Sequence, residues 1–299
     1  MVLEHIFPED WLEQKGRFAF ILGVGYTIIG VLIAKILFPG DPALVSIAFT
    51  SMLLLPELYK IFSIEERKES LEQHVTFRAL WRDDIEVVRI YIFLFIGILL
   101  TYAVGAMVMD GLEANTVFRE QLEIRFGEGF AGQAVNLGGI FGSELFFEIL
   151  SNNFLVLIAC FILALMSGDG AIFLITWNAS VWGTIFGVTA RNAAVFSNQN
   201  PFYLFGMIML VVFPHMIIEA ISYFLAAISG SVISKDVLLE DFASERFLEV
   251  FGFNLYLLLG GLIFLVLGAV IETFVLQNVG LYQEIIKMSL LAGSGGALG

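Results

Sequence analysis

The residues of this sequence that are able to carry chemistry are polar side chains placed inside long apolar segments. In the run FPHMIIE, His215 and Glu219 are four residues apart and therefore share one face of a helix. An imidazole bonded to a carboxylate satisfies both groups inside hydrocarbon, and the pair is also half of a metal site or of a proton relay. A purely structural bond is the favoured interpretation, because no second histidine lies in an apolar segment. Pro214 removes a backbone hydrogen bond, which predicts a break in this helix.

A second polar group opens an earlier apolar segment. Asn152 and Asn153 stand next to each other there, and Glu144 and Glu148 precede them. An asparagine at a helix N-cap accepts hydrogen bonds from free backbone N–H groups, and nearby acids complement the helix dipole. Capping accounts for one asparagine but not for both. We therefore expect Asn153 to contact another helix.

Further polar residues lie in the later segments. Asn178 stands shortly before the Gly-x-x-x-Gly spacing of residues 183–187, a pattern typical of tightly packed membrane helices, so helix packing is favoured over ligand binding. Arg191 ends the same segment and is expected to pair with a carboxylate. Glu272 lies deep in the last apolar segment, where it must stay protonated or find a partner. Its candidate partners are Arg191, Asn178 and Lys35.

Composition places these residues in a membrane protein. The chain has 299 residues, of which 59% are hydrophobic and 15% charged, with a mean hydropathy of +0.89. Such a composition excludes a soluble enzyme, a disulfide-stapled secreted domain and a disordered chain. The net charge of −14 argues against nucleic-acid binding. The single cysteine, Cys160, excludes an internal disulfide and a cysteine-based zinc cluster.

An all-α, polytopic bundle with six to seven transmembrane helices follows, since a span needs about 20 apolar residues. The predicted spans lie near residues 18–38, 43–58, 90–109, 153–167, 171–190, 202–229 and 251–276. The segment 43–58 is short and contains Pro56, so it either crosses or re-enters the membrane. We further predict an amphipathic helix in the interface before Asn152. Residues 1–290 form a single membrane domain, and 291–299 form a disordered tail.

The distribution of basic residues predicts the orientation. Ten Lys and Arg residues fall in segments on one side of the predicted spans and four on the other. By the positive-inside rule the N-terminus is cytoplasmic, as is the charged helical loop 59–89. We expect a multi-pass protein of the cell membrane, in contact with the lipid bilayer, with protein partners and with a second copy of itself as a further partner. The sequence predicts no cofactor, no catalytic residue and no metal site, and it lacks the common soluble catalytic motifs.

Four stretches in order resemble the stage II sporulation protein M family of integral membrane proteins. They are LSNNFLVLIACFILALMSGDG, FLITWNASVWGTIFGV, FPHMIIEAISYFLAAISG and LGAVIETFV, and together they cover roughly residues 140–276. The chain departs from the family pattern at Met216, where glycine usually follows Pro-His, and at Ala179, where glycine usually follows asparagine. It also has Ala220 and Ile221 where a proline often follows the glutamate.

The resemblance implies a membrane scaffold rather than a catalyst. In endospore formers, family members act beside cell-wall hydrolases during engulfment, and others are encoded near AAA+ ATPases and von Willebrand-type proteins. The resemblance implies no transport or catalytic activity. From the residues alone, two alternatives stay open. One is an ion- or proton-coupled transporter or channel with a polar mid-membrane site at His215 and Glu219. The other, less favoured, is an intramembrane hydrolase built on the same pair.

Overall fold

The protein is helical throughout the part of the chain that its structure describes. The computed structural model describes residues 16–71, 77–126, 142–239 and 244–295. Within these ranges there are ten helices and no strand, which confirms the predicted all-α class. The helices are α1 (Gly16–Leu37), α2 (Ala43–Leu71), α3 (Phe77–Val108), α4 (Gly111–Val117), α5 (Arg119–Phe126), α6 (Ser143–Ser167), α7 (Ala171–Ser197), α8 (Pro201–Leu239), α9 (Glu245–Asn278) and α10 (Gly280–Gly295).

Seven of these helices are long and apolar enough to cross a membrane: α1, α2, α3, α6, α7, α8 and α9. The apolar part of α2, Ala43–Lys60, has 18 residues. At about 1.5 Å per residue that length nearly matches a hydrocarbon core of about 30 Å. The segment is therefore a candidate full span, and its Pro56 lies inside a continuous helix.

The ends of the seven candidate spans gather at two faces of the bundle. On one face the turn between α6 and α7 contacts the end of α8, where the Ser231 hydroxyl donates to the Gly168 carbonyl. We name this the Asp169 face. On the opposite face, the Arg119 guanidinium of α5 lies 3.0 Å from a carboxylate oxygen of Asp41, in the turn between α1 and α2. We name this the Asp41 face.

Helix α7 lies at the centre of the bundle, and 72% of its most apolar stretch is buried inside the protein. It packs against α3 on one side and against α8 and α10 on the others. The contact with α3 is close: a Cβ atom added at Gly187 would lie 2.5 Å from the carbonyl oxygen of Ala103. Helix α1 packs against α3, and α2 packs against α1 and α7, whereas α6, α8 and α9 pack together on the other side.

Three sequence-based expectations about the helices are wrong. Helix α8 runs without interruption from Pro201 to Leu239, with Pro214 inside it, so it is not broken there. Membrane helices tolerate a proline where surrounding helices and local adjustment satisfy the freed carbonyl. The expected interfacial helix before Asn152 is not a separate element, because α6 begins at Ser143 and continues through Asn152. The expected disordered tail is helical as far as Gly295, and residues 296–299 lie outside the described residues.

The described parts of the charged segment 59–89, predicted as a helical loop, are helical extensions of two candidate spans. Helix α2 continues past Lys60 to Leu71, and α3 begins at Phe77, before its apolar part starts at Ile85. Residues 72–76, between these helices, lie outside the described residues. The chain thus carries two helical extensions of candidate spans at the Asp169 face, residues 61–71 and 77–84, and we name the two together the hairpin 61–84.

The contact between α7 and α3 predicts the effect of adding a single methyl group. We expect Gly187→Ala to lower the free energy of unfolding by about 1–3 kcal/mol, because the new Cβ meets backbone rather than a flexible side chain. Thermal unfolding in detergent, followed by size-exclusion chromatography, measures this. The matched control is Gly260→Ala in α9, where an added Cβ has no atom within 4 Å. Equal midpoints for the two variants would contradict the close contact.

Candidate functional site

Two glutamates and an asparagine meet where α6, α8 and α9 pack together. Glu219 of α8 is 1% exposed, and its carboxyl group lies near the half-buried Glu272 carboxyl of α9 and the buried Asn153 side chain of α6. We name Glu219 and Glu272 the carboxyl pair. These three residues are far apart in the sequence, and the packing of the helices brings them together.

A glycine on α9 makes room for the carboxyl pair. Gly268 lies one turn before Glu272, and a Cβ atom added to it would lie 2.5 Å from Cγ of Glu219. Further along the same contact, a Cβ on Gly261 would lie 3.1 Å from the carbonyl oxygen of Ser222. Helices α8 and α9 therefore approach closely on both sides of the pair, and the Glu219 side chain lies against the backbone of α9.

The cations considered as partners of Glu272 lie elsewhere. Lys35 forms an ion pair with Glu113. Arg191 donates from Nη1 to the carbonyl oxygens of Ala106 and Met109, 3.1 Å from each, and so caps the end of α3. The hydrogen bonds of Arg191 thus go to a helix end, and the carboxylate nearby that attracts it is Asp110, just beyond that end.

His215 does not pair with Glu219, although the two residues share a helix face. The imidazole is 5% exposed, and its Nδ1 atom has no hydrogen-bond partner among the described residues. The Glu219 carboxyl instead extends sideways toward Gly268 and Asn153 on the neighbouring helices. Pro214, just before it, lies on an exposed face of α8.

The remaining residues singled out from the sequence lie away from the carboxyl pair. Asn152 and Glu148 are exposed on α6, whose N-cap is Gly142, so neither asparagine caps this helix. Asn178 is half-buried, and its Nδ2 atom donates to the Leu174 carbonyl of its own helix at 2.8 Å. It therefore satisfies its amide locally instead of bonding another helix.

Tyr223 is a member of the site that the sequence analysis missed. It lies one turn beyond Glu219 on α8, is 1% exposed and interacts electrostatically with both members of the carboxyl pair. Its hydroxyl has no hydrogen-bond partner among the described residues. The sequence signal for Tyr223 is its regular spacing with His215 and Glu219 along one helix face.

A second polar group, also missed, lines the buried side of α7. Gln121 of α5 is fully buried, and its Nε2 atom lies 3.4 Å from the Ser180 hydroxyl. Thr176 and Thr184 flank Ser180 by one turn on either side, and their hydroxyls have no partner in the described part of the chain. The spacing of these hydroxyls was visible in the sequence. The insertion of a short, charged helix beside them was not.

Asp169, in the turn between α6 and α7, is buried at the face that bears its name. One carboxyl oxygen, Oδ1, has no hydrogen-bond partner among the described residues. Burial raises the pKa of the Asp169 carboxyl, and the nearby Lys235 ammonium lowers it by a smaller amount. The Asp169 carboxyl therefore binds a proton more readily in the folded protein than in the unfolded chain.

The contacts of Glu219 predict different outcomes for neighbouring substitutions. We expect Glu219→Ala to reduce stability by about 1 kcal/mol, because it leaves Asn153 and Glu272 without their partner. Glu219→Gln keeps the volume and the polar contacts and should remain close to wild type. His215→Leu should be neutral or stabilising, because it removes a buried nitrogen without a partner. Heat-induced loss of the monodisperse peak measures all three. A His215→Leu variant as unstable as Glu219→Ala would contradict the absence of a His215 bond.

The buried acid at Asp169 predicts a pH-dependent stability. Because its pKa is higher in the folded than in the unfolded chain, the stability of the wild type falls as pH rises from the ordinary aspartate value through the raised one. We expect Asp169→Asn to be more stable than wild type at neutral pH and equal to it near pH 4, about the ordinary pKa of aspartate. Melting temperatures at these two pH values test this. A difference independent of pH would show that the charge is not responsible.

Comparison with known proteins agrees with the arrangement of these helices. The family model described as stage II sporulation protein M matches residues 19–276, from the first turn of α1 to the last turn of α9. Neither a curated protein nor a solved structure matches the chain. The matched region contains the carboxyl pair, Asp169 and all seven candidate spans, apart from the first three residues of the first span and the last two of the seventh. The chain therefore belongs to the stage II sporulation protein M family.

Proposed function

We propose that this protein is a membrane scaffold or assembly protein, which docks partner proteins at the bilayer surface. The observation that carries the proposal is the pair of helical extensions in the hairpin 61–84, residues 61–71 and 77–84, which continue two candidate spans at the Asp169 face. Helix α2 extends past Lys60 by 11 residues. At a rise of about 1.5 Å per residue it reaches about 16 Å beyond the end of its span.

The sequence of the hairpin suits protein contact. It mixes acids and bases, as in Ile64-Glu-Glu-Arg-Lys-Glu69, and it contains Trp81. Charged residues of both signs provide register and specificity in protein interfaces, and tryptophan is enriched among residues that dominate binding energy. By the positive-inside rule this hairpin is cytoplasmic, which would place the partners in the cytoplasm or on the cytoplasmic side of the cell membrane.

The bundle that carries the hairpin supports a structural role. Glu219 of α8 lies against Gly268 of α9, and Gly187 of α7 lies against the carbonyl oxygen of Ala103 in α3. Polar and small residues therefore both take part in close contacts between helices. Because lipid tails are as apolar as the helix surfaces, close packing and interhelical polar contacts hold such a bundle together. A firmly packed bundle gives an extended hairpin a defined position, as docking requires.

An affinity pull-down from native membranes in mild detergent, followed by mass spectrometry, tests the scaffold. We expect a stoichiometric protein partner that is lost when Arg67 and Lys68 of the hairpin are both replaced by glutamate. The matched control replaces Glu144 and Glu148 by glutamine, because both are exposed on α6 and lie toward the opposite face. All variants are first checked for a monodisperse profile.

Three results would contradict the scaffold. They are the absence of any stoichiometric partner, a partner retained by the hairpin variant, and a partner lost equally from the control variant. Co-purification of a second, tagged copy of the chain alone would assign the hairpin to a homo-oligomer instead.

A second candidate function, proton- or ion-coupled transport, is favoured by one observation. The carboxyl pair lies inside the candidate spans, and the Oε1 atom of Glu219 has no hydrogen-bond partner among the described residues. Ionisable groups at membrane depth often mark proton or ion pathways. The hydrolase alternative has less support, since the described residues contain no group of three His, Cys, Asp or Glu that could hold a metal ion.

A further inference from the structure

Helices α1 and α3 touch at one level of the bundle and separate toward the Asp41 face. At the level of contact, a Cβ atom added to Gly23 of α1 would lie 2.6 Å from the carbonyl oxygen of Leu94 in α3. Two turns further along, α1 lies instead against α2, where a Cβ atom added to Gly30 would lie 2.9 Å from the Ser46 carbonyl oxygen. Because α1 is held by a different neighbour at each level, a wedge-shaped opening is left between α1 and α3.

This opening is a groove of about 400 Å³, within the range of about 300–1,000 Å³ that is usual for ligand pockets. Side chains between residues 24 and 32 of α1 and between residues 100 and 105 of α3 form its walls, and Met109 and Phe118 complete it. Of the lining residues, Ile28 is 46% exposed, so the groove opens sideways toward the surrounding lipid.

The lining of the groove is largely hydrocarbon. Two of its hydroxyl groups are bonded within the protein: Thr101 donates to a carbonyl of its own helix at 2.8 Å, and the Tyr102 hydroxyl lies 2.9 Å from that of Ser46. Thr27 is fully buried and contributes one hydroxyl without a partner among the described residues. The groove as a whole therefore suits an apolar occupant.

The length of the groove matches one leaflet of a bilayer. Residues 24 to 32 of α1 rise by about 12 Å along the helix axis. A hydrocarbon core of about 30 Å gives each leaflet about 15 Å. A transmembrane helix of another protein would need a contact surface through the full depth, and helix pairs use small residues there. In α1 such residues, Gly23 and Gly30, are already occupied by α3 and α2. The shape of the groove therefore favours a single acyl chain over a helix.

Two opposite charges lie at the end of the groove nearest the Asp41 face. Lys35 follows the lining residue Leu32 by three positions on α1, and its ammonium group forms an ion pair with Glu113 of α4. We name Lys35 and Glu113 the rim pair. Their side chains are 34% and 41% exposed. An ammonium group has three N–H donors and a carboxylate accepts at both oxygens, so each member of the rim pair has capacity for a further partner of opposite charge.

Acidic groups outnumber basic groups around the rim pair. Arg119, which follows the lining residue Phe118, lies within hydrogen-bond or ion-pair distance of three acids, Asp41, Glu120 and Glu123. Basic pockets between membrane helices bind anionic lipid head groups, so this acidic surrounding disfavours them. A head group that carries both a phosphate and an ammonium group is complementary to the rim pair.

We infer that the groove between α1 and α3 binds one phospholipid of the leaflet at the Asp41 face, with a head group that contains a phosphate and a primary ammonium. One acyl chain lies along the groove, the phosphate accepts from Lys35, and the ammonium donates to Glu113. The second acyl chain stays in the bilayer. The bound lipid fills the wedge and supports α1 where α3 does not contact it. This inference goes beyond the proposed scaffold and does not depend on it.

Native mass spectrometry of the delipidated protein in detergent tests the head-group preference. Phosphatidylethanolamine and phosphatidylglycerol with identical acyl chains are added at equal concentrations. We expect one phosphatidylethanolamine molecule per chain, preferred severalfold over phosphatidylglycerol. Glu113→Gln should abolish the preference, because it removes the carboxylate that accepts from the ammonium. Glu144→Gln, at an exposed position of α6, is the matched control and should keep it. Equal binding of the two lipids by the wild type, or an unchanged preference in Glu113→Gln, would overturn the inference.

A phosphatidylethanolamine with a diazirine in its acyl chain tests the location. After illumination in proteoliposomes, we expect peptide mass spectrometry to find the label on the groove-lining parts of α1 and α3. Val104→Phe fills the groove and should reduce this labelling severalfold. The matched control is Val266→Phe of α9, because Val266 is 43% exposed and Val104 is 44% exposed. Both variants are first checked for a monodisperse profile.

Two results of the labelling would overturn the site. They are a label spread evenly over the lipid-facing helices and unchanged labelling of α1 and α3 in Val104→Phe. Loss of self-association in Val104→Phe, measured by co-purification of a second tagged copy, would assign the groove to a helix of that copy instead.

Discussion

The close approach of α7 to its neighbours is the contact on which the rest of this bundle depends. Moving an apolar side chain from lipid into the bundle gains little free energy, because lipid tails are equally apolar. The helices must therefore be held together by dense packing and by polar contacts between them. Helix α7 meets α3 across Gly187 and the carbonyl oxygen of Ala103, and it also contacts α8 and α10. It therefore joins the group formed by α1, α2 and α3 to the group formed by α6, α8 and α9.

Polar residues inside the bundle serve three distinct ends. Arg191 of α7 satisfies carbonyl oxygens at the end of α3, which couples the two helices at the Asp41 face. The hydroxyl of Ser229 in α8 donates to the Asn254 carbonyl of α9 at 2.7 Å and so fixes that pair of helices. The carboxyl pair adds contacts among α6, α8 and α9, but it also retains oxygen atoms without partners. Such unsatisfied atoms cost stability, and for that reason they mark a place where packing alone does not explain the residue types.

The proposed docking segment and the carboxyl pair lie in different parts of the molecule. Docking is proposed for the hairpin 61–84, outside the candidate spans, whereas Glu219 and Glu272 lie within them. The base of the hairpin is tied to the end of α8, because the Lys235 ammonium lies 5.8 Å from the ring centroid of Tyr59. The packing of α8 therefore helps to position the proposed docking segment.

The sequence by itself determined the class of protein, the helical fold, the candidate spans and the family. Apolar length is a local property set by bilayer thickness, and family motifs are read directly from residues such as His215 and Glu219. The sequence also showed that Glu272 needed a partner. Only the tertiary structure decided that this partner is Glu219, that His215 is left without its expected bond, and that Arg191 caps a helix end. These contacts depend on how neighbouring helices are rotated and how they cross. Residues far apart in the sequence determine that geometry together, so no local sequence pattern predicts it.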